Sequence, residues 1–598
     1  MARSSIRTHD RFVRSPPTRL TIGVGMALAF ACTWLFRWVT VAFVNDHFTH
    51  LSRARQIVGG ELPIRDFFDP GQFLHYYVSA SAQVVFGDNL FGEAVLTITF
   101  IAVAAALACG LATRLSGSWV IGAAVTLLGV ISSPRLYNYP KVFLYVAALG
   151  LGWRYARRPT RPGVGLLAAM TVLAFLFRYD HGFYIGFFMA VLLTLVHIWR
   201  PREWISALSL YAGVSLVLLL PFLAYVQWAA GLLPYARAVL IPARTIATSI
   251  DTRRTLLFEI ERSHGLVEVV STSRVLDALP GQAFWRAIDR RIPLFRTRLA
   301  PGVFSEHNAL VWFYDVTVAI PFIALLLSAF AWWRGRIERA EGAAIAAIAC
   351  LCLLISRTLL SDNPEARLAD IALPIGVLGA WVTGRVLTGA ARGLVLRRAV
   401  FASLFVATLW SIALHSAVVP TLGHALRSLE WHPIATVSSR LRARPIDSWA
   451  PPGQGTGIVA LGRYVWRCTA PSDRLLVGGA FAPEAYFYTG RLFAAGQVHF
   501  MPGWHATEPE QRRSLEWLSR QSVPIALIGP EPLFPLRFNL VAAHLDTRYV
   551  EVARSTFGGD VEWRVLADRS RTATGTDRLL GLPCYATAPQ EHLMSIHN

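Results

Sequence analysis

Lysine is nearly absent from this chain. Of its 57 basic residues one, Lys141, is lysine and the rest are arginine. Charged residues make up only 16% of the 598 positions, against 54% hydrophobic and 12% aromatic, a balance more apolar than soluble domains carry. No G-x-G-x-x-G or P-loop pattern occurs, and no pair of cysteines has zinc-type spacing. The net charge of +20 is not matched by any RNA- or DNA-binding motif, so it is assigned to loops facing anionic lipid, with no nucleic-acid partner. No internal repeat is visible, which weighs against the inverted-repeat transporters.

What is present is a series of long apolar runs. About eleven spans are expected, at 20–44, 90–113, 118–133, 140–156, 163–179, 182–198, 204–229, 310–333, 342–360, 369–388 and 397–419. The segment 70–86 is apolar but short and reads as interfacial or as the start of a bent span. Arginines gather in alternate connections: Arg3 to Arg19, Arg154 to Arg161, Arg200 and Arg202, Arg334 to Arg339, and Arg392 to Arg398. The positive-inside rule makes that face cytoplasmic, with the N-terminus inside. The reading is a polytopic α-helical membrane protein of a bacterial inner membrane, with a C-terminal extracytoplasmic (periplasmic) α/β domain. Its parts are a basic N-terminus at 1–19, a membrane domain at 20–419 with outer loops 45–89 and 230–309, the α/β domain at 420–569, and a partly disordered tail at 570–598. In the α/β domain, strands are expected at 474–479, 523–529, 549–556 and 561–568, and a helix at 508–521.

Acids, bases and tyrosines converge on the outer face. Asp46 stands directly after the first span. A carboxylate at a membrane edge is costly unless paired, hydrated or used, and an ionised carboxylate suits a general base; the alternative is a helix cap for 47–58. Asp66 and Asp180 are candidates for a second acid, although Asp66 lies in a turn-like Pro63-x-Arg65-Asp66 stretch. Lys141, in a loop with Arg135, Tyr137 and Tyr139, is a candidate phosphate ligand, since a compact ammonium is not equivalent to arginine. Arg135, Arg178 and Arg367 are further candidates for phosphate. Arg178 reads equally as the partner of Asp180 at a tight turn. Tyr76, Tyr137, Tyr139 and Tyr179 are candidates to line a sugar or acceptor site. His47 and His50 share a helical face, but without a third ligand they are weak metal candidates. Cys468 and Cys584 both fall in the polar C-terminal part and pair only if that part meets an oxidising compartment.

The order of these features resembles a known family. One span is followed by Asn45-Asp46-His47, a helix, Gly59-Gly60-x-x-Pro63-x-Arg65-Asp66-Phe67, then Pro70-Gly71 and Tyr76-Tyr77. Later come Tyr139-Pro140-Lys141 and Phe177-Arg178-Tyr179-Asp180-His181-Gly182. This is similar to the GT-C superfamily of integral membrane glycosyltransferases, in particular the bacterial group of protein O-mannosyltransferases and aminoarabinose transferases. The resemblance implies transfer of a sugar from a polyprenyl-phosphate donor to a glycan, lipid or protein acceptor, usually with inversion, and a first-loop acid, here Asp46, as base. It implies no fixed cofactor and leaves a divalent metal open. Many members carry a second acid next to the first; here that place is His47. The rival readings are a transporter or lipid-linked sugar flippase, and a non-catalytic subunit of an envelope glycan complex.

Overall fold

The computed structural model describes residues 17–44, 46–239, 306–356, 364–387, 433–449, 456–500 and 504–586, with scattered positions between 398 and 409. Its first part is a helical bundle. The long helices are α1 (Arg19–Val39), α4 (Leu90–Ser116), α5 (Trp119–Ser132), α6 (Tyr139–Arg157), α7 (Arg161–Phe177), α8 (Tyr179–His197), α9 (Pro201–Ala229), α10 (Glu306–Trp333), α11 (Arg339–Ser356) and α12 (Pro364–Leu387). Seven of these are long and apolar enough to cross a membrane, and α5 and α7 are shorter apolar helices. Ten of the eleven expected spans therefore have a helix. The eleventh, 397–419, lies almost wholly outside the described residues, as does most of the loop 230–309.

Helix boundaries follow capping chemistry. The Thr18, Asn89 and Thr160 side chains each accept a hydrogen bond from a backbone N–H in the first turn of α1, α4 and α7. Gly117 ends α4 in the left-handed conformation. α4 is the central post, packed on α1, α5, α6 and α12. Its inner face is built from small residues such as Ala94, Ala102, Ala104, Ala105 and Ala108, which let helix backbones approach in a lipid setting where apolar burial alone gives no drive. Gly384 of α12 shows how close: a Cβ there would lie 2.7 Å from the Ser116 Cα.

Two shorter helices sit at one end of the bundle, α2 (Asp46–Val58) and α3 (Phe73–Phe86). The first span is shorter than expected, since α1 stops at Val39 and residues 41–44 carry no regular secondary structure. The short apolar segment at 70–86 is α3, which packs its Tyr76, Ser79, Ala80 and Gln83 face inward against α2 and α4.

The C-terminal part is an α/β unit. Its sheet runs in the order β2 (Leu492–Phe493), β1 (Arg474–Gly478), β3 (Ile525–Ile528), β5 (Trp563–Asp568), β4 (Tyr549–Ser555). The β2–β1–β3 pairs are parallel and the β3–β5–β4 pairs antiparallel. The helix over Glu508–Ser519 starts with a capping box between Thr507 and Glu510. The helix over Pro433–Arg442 is different: Trp38 of α1 donates to Ser438 (3.3 Å), and Arg442 covers Phe91, so this segment is seated on the bundle. Not all of 570–598 stands apart as a tail either. Gly575–Thr576 and Pro583–Cys584 form a two-stranded ladder, the Tyr464 hydroxyl donates to the Pro583 carbonyl (2.6 Å), and Cys468 is disulfide-bonded to Cys584. Residues 587–598 lie outside the described residues.

Candidate functional site

α2 presents two polar faces, and its helical period explains both. Asp46, Thr49, His50 and Arg53, spaced i, i+3, i+4, i+7, fall on one face and line a cavity of about 390 Å³. Ser52, Arg55 and Gln56 fall on the other and grip the α/β unit. Ser52 donates to the Pro483 carbonyl (3.1 Å), Arg55 to the Phe487 carbonyl (2.7 Å), and Gln56 to the Phe493 carbonyl (2.9 Å). The acid in the first turn of α2 also suits the positive end of the helix dipole.

The cavity lies where the bundle meets the α/β unit. Besides the α2 face it is lined by Gln72 and His75, by Tyr137, Asn138 and Pro140, by Phe177, Arg178 and His181, and by Arg367. The α/β unit adds Phe481, His499 and Trp504. The charge balance is lopsided: among the described residues Asp46 is the one carboxylate on the wall, against the guanidinium groups of Arg53, Arg178 and Arg367. Arg53 donates to the Tyr76 hydroxyl (3.2 Å) and lies over that ring. Arg178 pairs with Asp180 (2.9 Å), and Arg367 lies 3.9 Å from Asp370.

Six residues of the wall hold a buried polar atom without a partner. Thr49 Oγ1, His50 Nδ1, Arg53 Nε, His75 Nε2, Asn138 Nδ2 and His499 Nδ1 have no hydrogen-bond partner among the described residues. Buried polar groups are normally paired, and each one left bare costs about 1–3 kcal/mol. Such a cluster around one cavity marks a place shaped for a polar guest. The imidazoles of His50 and His75 stack with centroids 4.1 Å apart. Burial first, and then the neighbouring positive groups, push both well below the ordinary histidine range, so both are neutral at pH 7. His499 is pushed down to about 3 by burial and by nearby Arg53. Burial and the negative Asp46 raise the Tyr137 hydroxyl above its usual range, and Arg135 donates to that hydroxyl (3.0 Å).

Several residues singled out in the sequence stand elsewhere. Lys141 is buried and paired with Asp370 (3.0 Å) inside the bundle, and is not on the cavity wall. Its ammonium is held between α6 and α12, which removes the reason for treating it as an open phosphate ligand. Asp66 closes a turn, accepting from the Leu62 amide (2.8 Å) and pairing with Arg65 (2.6 Å). Tyr76 and Tyr139 are fully buried in packing, and Tyr179 packs over Gly71, where φ is +88° and a Cβ would sit 2.6 Å from the ring. His47 is engaged with Glu93 (3.0 Å), which also accepts from Ser79 (3.1 Å). Among the described residues no three His, Cys, Asp or Glu side chains are placed to hold a metal ion. Arg37 donates to Ser133 and to the Pro134 carbonyl (2.8 Å). Arg53, His75, Asn138, His499 and Trp504 were not singled out; for Arg53 the helical spacing from Asp46 carries the signal.

No protein-family model and no curated protein matches the chain. Among solved structures, it is similar to ArnT from Cupriavidus metallidurans bound to undecaprenyl phosphate, with 13% identity and a TM-score of 0.44, covering 91% of this chain and 97% of that one. It is likewise similar to ArnT from Cupriavidus metallidurans in the apo state, with 14% identity and a TM-score of 0.43, covering 91% of this chain and 98% of that one.

Proposed function

We propose that this chain is a membrane glycosyltransferase that moves a sugar from a polyprenyl-phosphate donor to an extracytoplasmic acceptor, with inversion at the anomeric carbon. The carrying observation is the cavity beside α2: one carboxylate, three guanidinium groups and a set of buried polar atoms without partners. An anionic, hydroxyl-rich ligand supplies what these groups lack. Arginine forks suit phosphate oxygens, and neutral histidines, threonine and asparagine suit sugar hydroxyls.

The reaction then divides among named groups. The acceptor oxygen attacks the anomeric carbon as the bond from that carbon to the phosphate oxygen breaks, and the electron pair leaves with the phosphate. Arg53, Arg178 and Arg367 face the charge that builds on the leaving group, in the manner of oxyanion stabilisation. Asp46 takes the acceptor proton. Asp180 holds Arg178 in place, and Tyr137 with Arg135 borders the acceptor side. Trp504 and Phe481 roof the cavity and offer flat faces to sugar rings. Sidedness follows from the arginine-rich connections, which stand at the other end of α6, α7 and α8.

The test is donor consumption by the purified full chain with a panel of polyprenyl-phosphate sugars. At least one donor is expected to be hydrolysed or transferred, and Asp46→Asn is expected to abolish this. If no donor is consumed and Asp46→Asn leaves the cell-envelope phenotype intact, the chain is a non-catalytic component. If lipid-linked sugar crosses vesicles without transfer, it is a flippase.

A further inference from the structure

A second cavity lies at the opposite end of the same three helices. α6, α7 and α8 each touch the Asp46 cavity at one end, through Pro140, Phe177 and His181, and the second cavity at the other, through Tyr155, Arg161 and His197. From Pro140 to Tyr155 the helical rise is roughly 22 Å at 1.5 Å per residue, about three-quarters of the ~30 Å hydrocarbon thickness of a bilayer. The second cavity therefore lies in the opposite leaflet, toward its headgroups.

Its volume is about 690 Å³ and its chemistry has two halves. One half is basic. Arg161, Arg202 and Arg339 line it, and the first turns of α7, α9 and α11 open onto it, adding partial positive charge from three helix ends. The single acid of the wall among the described residues, Glu203, is paired with Arg200 (3.1 Å) and faces His197 at 3.5 Å, so it does not offset the other three arginines. Arg339 lies over the exposed Trp199 ring at 5.3 Å, and the Tyr155 hydroxyl and His197 Nε2 close the floor at 2.8 Å. The other half is apolar: Val164, Val196, Ala207 and Leu210. Within it the Leu210 side chain is itself exposed.

We infer that this cavity is a binding site for an anionic glycerophospholipid of the leaflet opposite the Asp46 cavity. The phosphate and its negative headgroup meet Arg161, Arg202 and Arg339, the glycerol backbone meets Trp199, and the first acyl carbons run along the Val164–Leu210 wall into the bilayer. A free phosphate ion satisfies only the basic half, and a zwitterionic lipid carries no net charge for the arginines to hold. The wall's division into a basic and an apolar half is what selects a lipid with both. This site is independent of the sugar-transfer reading.

The test uses the purified full chain in detergent, following thermal unfolding while phosphatidylglycerol, phosphatidylcholine or inorganic phosphate is titrated. Phosphatidylglycerol is expected to raise the melting temperature saturably, and the other two are not. In Arg161→Gln/Arg202→Gln/Arg339→Gln the half-saturating phosphatidylglycerol concentration is expected to rise by about fivefold for each arginine removed. The control Arg154→Gln/Arg157→Gln/Arg158→Gln, on the same face but off the cavity wall, is expected to keep the wild-type value. Equal stabilisation by phosphatidylcholine, equal stabilisation by inorganic phosphate, or an equal loss in the control overturns the proposal. The wild-type comparison of the three titrants decides even if the triple variant does not fold.

Discussion

Two buried polar clusters lie near each other and differ in one respect. Inside the bundle, Lys141 and Asp370 form a closed pair, cation to anion at 3.0 Å with both side chains buried. Beside α2, Arg53 is buried but meets only a tyrosine hydroxyl and a ring, and its neighbours Thr49, His50, His75 and Asn138 each keep an unmatched polar atom. The first cluster matches its charges within the protein, with only Asp370 Oδ1 left without a hydrogen-bond partner among the described residues, and joins α6 to α12. The second is incomplete until something enters. Rarity in the sequence pointed to the lysine; the geometry gives open chemistry to an arginine among many.

The comparison can be broken at four places. The largest effect is expected for Asp46→Asn, which is predicted to lower kcat by about 10²–10⁴-fold, the usual weight of a general base, while the melting temperature stays unchanged; steady-state donor turnover and a thermal scan check it. Next, Lys141→Met strands Asp370 in the bundle and is predicted to cost about 3–5 kcal/mol of stability. The double variant Lys141→Met/Asp370→Leu is predicted to recover most of that loss in detergent denaturation. Had Lys141 served the donor phosphate instead, the double variant would be stable and inactive.

Third, Arg53→Met is predicted to behave in the opposite way to Lys141→Met. It removes a buried charge that forms no ion pair, with Asp69 only in electrostatic reach, so the melting temperature falls far less than in Lys141→Met, but kcat/KM for the donor drops by about 10²–10³-fold, as for loss of an oxyanion donor.

The smallest effect concerns pH. His50 and His75 have folded pKa values pushed below the unfolded value of about 6.5. Below that value the unfolded chain takes up protons that the folded chain refuses, so stability falls as the pH drops through 6.5 toward the folded values. Lowering the pH from 7.5 to 5.5 is predicted to cost on the order of 1 kcal/mol for each histidine, and His50→Gln/His75→Gln is predicted to flatten that slope in denaturation curves.

Much of the fold was legible because long apolar runs and alternating arginines report a bundle through composition alone, and Leu475-Leu476-Val477 and Ile525–Ile528 announce buried strands. The site was legible in part. Asp46 and Tyr137 are local to the loops that form the cavity, and Arg178 sits at the α7–α8 turn. The rest depends on which helix faces which. Lys141 and Asp370 are separated by 229 positions, so no local pattern reveals their pairing. Arg53 is marked only by the cavity that its helix face lines, which nothing in its local sequence announces. His499 and Trp504 reach the cavity from a separate folding unit, and nothing near them in the chain refers to α2.

α2 carries Asp46 on one face while the opposite face is bolted to the α/β unit through Ser52, Arg55 and Gln56. The soluble part thus acts as a jig: any tilt it undergoes rotates the carboxylate with it. Anchoring α2 in this way couples the aim of the Asp46 carboxylate to the position of the α/β unit, so whatever shifts that unit shifts the cavity wall without touching the carboxylate itself.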